Sequence, residues 1–154
     1  MRSLFLLIFS VLTLVSCGYG SASSDEFVTK LGERRAILKV DMHLSAFGVE
    51  SDDIPSIAAS IDFVHNSSEC TKTYYNPAFK GSTYHLSSAE ISQVLTLLQK
   101  ADLENLKKRY RVSKTDQHAS TITVYTDSKI YSIEDYGLTG AYTLQKLYSL
   151  VYKL

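Results

Sequence analysis

Histidines, cysteines, an acidic run and an excess of tyrosine are the residues of this chain that could do chemistry. His43, His65, His85 and His118 are spaced too widely for a short ligand pair, and neither Cys17 nor Cys70 has a second cysteine near it. Zinc ligands usually come as such close pairs, so no metal and no cofactor is expected. Glu50-Ser51-Asp52-Asp53 has the carboxylates of a calcium loop but lacks its glycine and closing glutamate, and reads as a solvated loop. There is no glycine-rich phosphate cradle and no G-x-S-x-G elbow. The paired carboxylates of a glycoside hydrolase meet only in space and leave no spacing to read, so that class stays open without support. Cys70 is expected to be a small buried hydrophobe, or else to pair with another chain. Glu69 and His65 neighbour it in sequence alone, which does not make a nucleophile and its base.

Tyrosine occurs 11 times and tryptophan not at all. Tyrosine combines an apolar ring with a polar tip and is enriched at recognition surfaces. Tyr74, Tyr75 and Tyr84 flank the loop signal Asn76-Pro77 and are the candidate ligand-binding residues. Tyr125 and Tyr131 suit strands, while Tyr148 and Tyr152 suit the border of a buried helix face.

Cys17 raises a separate question, because it ends a greasy leader. Arg2 precedes an apolar stretch from Leu4 to Val15 that is broken only by Ser10 and Thr13. A membrane-crossing helix needs about 20 apolar residues, whereas a secretory signal needs an apolar core of only about 7–15 and a small-residue cleavage site. Leu14-Val15-Ser16-Cys17 resembles the lipobox of bacterial lipoproteins, whose cysteine receives a diacylglyceryl thioether and becomes the new N-terminus. That chemistry requires a thiol, a small residue before it and an apolar residue three before it, and all are present. The resemblance implies two or three acyl chains, and two or more anchor a protein stably. Gly18 follows, with no Asp to suggest retention in the inner membrane. The expectation is an outer-membrane lipid anchor, facing the periplasm or the cell surface.

Three segments follow: a signal peptide at 1–16, a lipidated tether rich in Gly and Ser at 17–33, and a single domain at 34–154. Loss of Arg2 with the leader leaves one basic residue fewer than the balanced total of 16 basic and 16 acidic. That near-neutrality argues against nucleic acid as a partner, which would demand a basic excess. The chain is 45% apolar, enough for a folded core.

Within the domain, Leu38, Val40, Met42 and Leu44 alternate with polar residues, as a strand buried on one face does. Ile57, Ala59, Ile61 and Phe63 alternate in the same way. Short strands are expected near 70–75 and 82–86. Ser87-Ser88-Ala89-Glu90 fits a capping box ahead of a helix with Ile91, Val94, Leu95, Leu98 and Ala101 on one face. Leu103 and Leu106 add a final turn before the basic Lys107–Arg111. Residues 120–134 read as a β-hairpin turning at Thr126-Asp127-Ser128-Lys129, and Leu144, Leu147, Val151 and Leu154 mark a closing helix. The expected class is α+β: an antiparallel sheet of about four to six strands with two helices packed on one face.

The order of helix, Asp-containing loop around Asp116, hairpin and Leu-rich helix resembles a family of uncharacterised bacterial lipoprotein domains common in Bacteroidota. The resemblance covers about residues 55–154, and departs from the family in keeping Cys70 alone in a region richer in cysteine. It implies a source and a fold but no activity. The leading expectation is a non-enzymatic binding module, anchored to the bilayer through acylated Cys17, for an envelope protein or glycan. The alternative is a periplasmic inhibitor or chaperone-like protein acting on an envelope enzyme. Cys17→Ala should release the protein from the membrane fraction. Retention in carbonate-washed membranes, read by immunoblot, would refute the anchor.

Overall fold

The computed structural model describes residues 35–45 and 54–153. Cys17, the leader, the tether at 17–33 and the acidic run Glu50–Asp53 lie outside those residues. Seven strands and two helices make up the rest: β1 (Ile37–Ser45), β2 (Ser56–Asp62), β3 (Ser67–Thr73), β4 (Ser82–Tyr84), α1 (Ser88–Lys100), β5 (Arg109–Arg111), β6 (Ala119–Thr126), β7 (Ile130–Tyr136) and α2 (Tyr142–Tyr152). One sheet holds all seven strands in the order β4-β3-β2-β1-β6-β7-β5.

The α+β class stands, but four to six strands is too few. The extra strand is β5, cut from what reads as a basic tail. It pairs parallel with β7, Tyr110 lying opposite Asp135; the remaining neighbours are antiparallel. Three residues are too short to display a period of two.

Strand alternation builds the core. Register places Cys70, Ala59, Met42, Ile122 and Ile133 in one row across five strands, and every one of them is buried. The flanking rows add Val40, Leu44, Ile57, Ile61 and Val124. Both helices close over this face, α1 through Ile91, Val94 and Leu98 and α2 through Leu144, Leu147, Tyr148, Val151 and Tyr152. Tyr148 and Tyr152 therefore belong to the core and not to its border. The opposite face, with Asp41, His43, Thr121 and Thr123, carries no helix among the described residues.

The expected capping box forms: Ser87 Oγ accepts from the Glu90 amide, and Glu90 Oε2 accepts from the Ser87 amide at 2.7 Å. Those contacts, with Lys153 beside them, hold the Glu90 carboxyl below the usual carboxylate range. α1 starts beside the β2–β3 turn, where Asn66 Nδ2 donates to Ser88 Oγ, and ends at Lys100. Leu103 and Leu106 follow as turn residues partly buried against the core. α2 runs back the other way, and at its end Lys153 meets Glu90 at 3.1 Å.

Two polar ties fix this arrangement. Asp135, 1% exposed, accepts from the amides of Thr139 (3.0 Å) and Gly140 (2.8 Å) and from the Tyr148 hydroxyl (2.8 Å). Burial, then Asp135, pushes the Tyr148 hydroxyl well above the usual phenol range. The chain reaches this site through Gly137 at φ +95°, where a Cβ would fall 2.5 Å from Val112 Cγ2. Ala141 offers α2 no side-chain cap, so the amides just upstream depend on Asp135. One layer deeper, Ser120 Oγ and the Tyr152 hydroxyl bond at 2.8 Å.

The second tie is exposed. Glu104, in the turn after α1, accepts from Lys129 Nζ (2.7 Å) and the Tyr131 hydroxyl (2.8 Å), and pairs with Arg35. Those partners pull its carboxyl down to about 2.

Asp135→Ala strands three donors at a buried site and should cost about 3–5 kcal/mol of unfolding free energy. Glu134→Ala, at an exposed ion pair with Arg109, should change it by less than about 1 kcal/mol. Chemical denaturation of the two variants measures both. A carboxyl depressed on folding stabilises the native state above its unfolded value and loses that effect as pH falls. Melting temperatures of wild type and Glu104→Gln should therefore differ most above pH 4.5 and converge as pH drops towards about 2.

Candidate functional site

The β3–β4 loop presents two aromatic rings to solvent, Tyr75 and Phe79, and Tyr142 at the start of α2 presents a third. Thr73, the last residue of β3, pairs with Ser56, so the loop leaves the end of the sheet at which β2 starts. Asn76 Oδ1 accepts from the Ala78 amide at 2.9 Å and Asn76 O from the Phe79 amide at 3.2 Å. Pro77 occupies the second position of that four-residue turn, where its fixed φ is suited. The turn folds Phe79 back onto Tyr74, their ring centroids 5.3 Å apart at 30°. Tyr75 beside them is 64% exposed and Phe79 43%. Gly81 lets the loop return to the sheet, because a Cβ there would sit 2.7 Å from Lys72 O. Half-buried Tyr74 backs the exposed ring of Phe79, and a ring so held by a hydrogen-bonded turn loses little conformational entropy on binding.

Tyr84 is placed apart from Tyr74 and Tyr75. Alternation along β4 turns it towards the helices, opposite Cys70, and its hydroxyl donates to Val151 O at 2.5 Å. Lys72 and Lys153 lie 5.3 and 5.4 Å from its ring. Burial, with Cys70 alongside, raises its hydroxyl far above the phenol range. It works as a strut between the sheet edge and α2. Phe79 is the residue that sequence reading passes over; the Asn-Pro turn that returns the chain to Tyr74 is the signal that would have found it.

The remaining candidates are dispersed. Cys70 is fully buried and burial raises its thiol, which keeps it protonated and inert. His65 Nδ1 contacts Asp62 at 2.8 Å, holding that carboxyl below its usual range. His85 Nδ1 meets Ser68 O, while His118 Nδ1 is buried with no hydrogen-bond partner. Among the described residues no three His, Cys, Asp or Glu side chains gather as a metal site, and no helix is long and apolar enough to cross a membrane.

A groove of about 550 Å³ runs between the helices over Leu97 and Leu150, with Gln93, Thr96 and Lys146 on its walls. A smaller one of about 260 Å³ lies beside Glu104, Lys129 and Tyr131. In the second, Glu104 is already committed to its three partners, and a carboxylate so strongly acidic is a weak base at neutral pH.

No curated protein and no solved structure matches the chain. One family model does, over residues 55–154, a span containing every described element except β1. By that match the chain belongs to the family described as a domain of unknown function, DUF6438.

Proposed function

We propose that the protein is an outer-membrane-anchored lipoprotein, held by acylated Cys17, whose folded domain is a non-enzymatic binding module for an envelope protein or glycan. One observation carries the binding half of this reading: the rigid aromatic turn of Tyr74, Tyr75 and Phe79 projects from the end of the sheet opposite to that at which the chain enters β1. Arg35 and Ile37 lie beside the β6–β7 hairpin, Ile37 pairing with Thr126. The aromatic loop follows Thr73 at the other end. A strand of nine residues spans about 30 Å. The aromatic loop and the start of β1 thus lie at opposite ends of the strands, which leaves the loop free of the point where the described chain begins. Tyr75 and Phe79 offer the flat apolar area that aromatic hot spots and sugar platforms use. The lipid half rests on the Leu14–Cys17 motif.

The test compares capture by the detergent-solubilised full chain with capture by the double variant Tyr75→Ser, Phe79→Ser, which alters exposed positions only. Wild type should retain an envelope protein or glycan that the variant binds about tenfold or more weakly, the loss typical of a central aromatic contact. Equal retention by both would remove the loop from the site. Stoichiometric capture of one enzyme, with its activity suppressed, would replace the binding-module reading by that of an inhibitor.

A further inference from the structure

Six large hydrophobic side chains are exposed among the described residues, and they divide by chemistry and by place. Leu38 (38%), Val64 (66%) and Ile130 (61%) are aliphatic; Tyr75 (64%), Phe79 (43%) and Tyr142 (72%) are aromatic. All three aliphatic residues lie at the end where the chain enters. Leu38 O accepts from the Phe63 amide, Val64 sits in the β2–β3 turn, and Ile130 opens β7 opposite Tyr125. The aromatic residues belong to the other end, since Tyr142 begins α2 beyond the exit of β7.

Val64 thus occupies a place usually taken by polar residues, and Ile130 is the first residue after a turn; side-chain hydrogen bonds hold both turns. Asp62 Oδ1 accepts from the amides of Val64 and His65 at 2.9 and 3.0 Å. Thr126 Oγ1 accepts from the Lys129 amide at 2.9 Å in the hairpin. The charges around them balance: Asp41 pairs with Lys39 and Glu104 with Lys129 and Arg35, while Lys108 lines the groove beside Ile130 and Asp62 and Asp127 lie at the two turns. Such a surface has no net field to favour a polyanion, and its exposed aliphatic side chains favour hydrocarbon.

We infer that this hairpin end, through Leu38, Val64 and Ile130, rests on the lipid surface. The inference depends on the lipid-anchor reading, and the position of Arg35 selects the occupant. The chain between Cys17 and Arg35 reaches no further than about 60 Å fully extended, so an acylated Cys17 keeps this end at high effective concentration beside the bilayer. Weak contacts then suffice to orient the domain, and its aromatic end points about 30 Å away from the membrane.

The absence of tryptophan makes the test direct. Ile130→Trp and Tyr75→Trp are each introduced into the full lipidated chain and reconstituted into phosphatidylcholine vesicles with brominated acyl chains. The indole introduced at position 130 reports on the hairpin end, and its emission should shift to the blue and be mostly lost to the bromines. The probe at position 75 should keep its emission. Quenching at position 75 equal to or above that at 130 overturns the inference and turns the aromatic end to the lipid. Flotation of the chain with neither probe quenched also overturns it while leaving the anchor intact. A chain that fails to float with the vesicles removes the anchor and the inference together.

Discussion

The carboxyl group of Asp135 is the contact on which the rest of the domain is hung. It lies in a strand position that alternation points inward, where an aliphatic residue would satisfy the pattern and do nothing for the loop beyond it. By taking the Thr139 and Gly140 amides it bends the chain out of β7 and towards the helix layer. By taking the Tyr148 hydroxyl it sets the rotation of α2 about its own axis. That rotation stacks Tyr148 on Tyr152 with parallel rings, brings Tyr152 to Ser120, and leaves Val151 O within reach of Tyr84 at the far edge. A buried polar group of this kind stabilises only while every partner is in place, so it favours one register of helix on sheet over its neighbours.

The apolar layer then has a simple task. β1 and its two neighbours bring aliphatic rows to one face, and the helices cover them from opposite directions. What the layer leaves uncovered is as informative. Polar strand residues face outward, whereas the large exposed hydrophobic ones among the described residues lie towards the ends of the strands. Exposure of large apolar side chains at the two ends of the strands, with polar residues along the open face between them, gives the described domain an axis.

Much of this architecture was legible beforehand. The alternation through Leu44 and again through Ile61, the Ser87–Glu90 box and the Thr126–Lys129 hairpin are local patterns, set by neighbours close in sequence. What escaped depends on distant partners. β5 exists because β7 has a free edge, not because Arg109-Tyr110-Arg111 prefers to be extended. Tyr84 reads like Tyr74 and Tyr75 until the alternation of β4 sends it inward, and Phe79 acquires its role from the turn before it. Asp135 looks like any polar residue near a strand end, since its three donors come from a loop and a helix not yet formed. The family pattern is carried by the C-terminal elements and spans the same residues, 55–154, as the family match, while Cys17 speaks only through its flanking residues.

The central strand of the sheet is also the first strand among the described residues. Val40 pairs with Val124, roughly eighty residues downstream, and such long-range pairing raises contact order and slows folding. A nascent chain would carry β1 without its β6 partner until most of the polypeptide had been made. The sheet can therefore close only late in synthesis, once the strand that flanks its centre has been made.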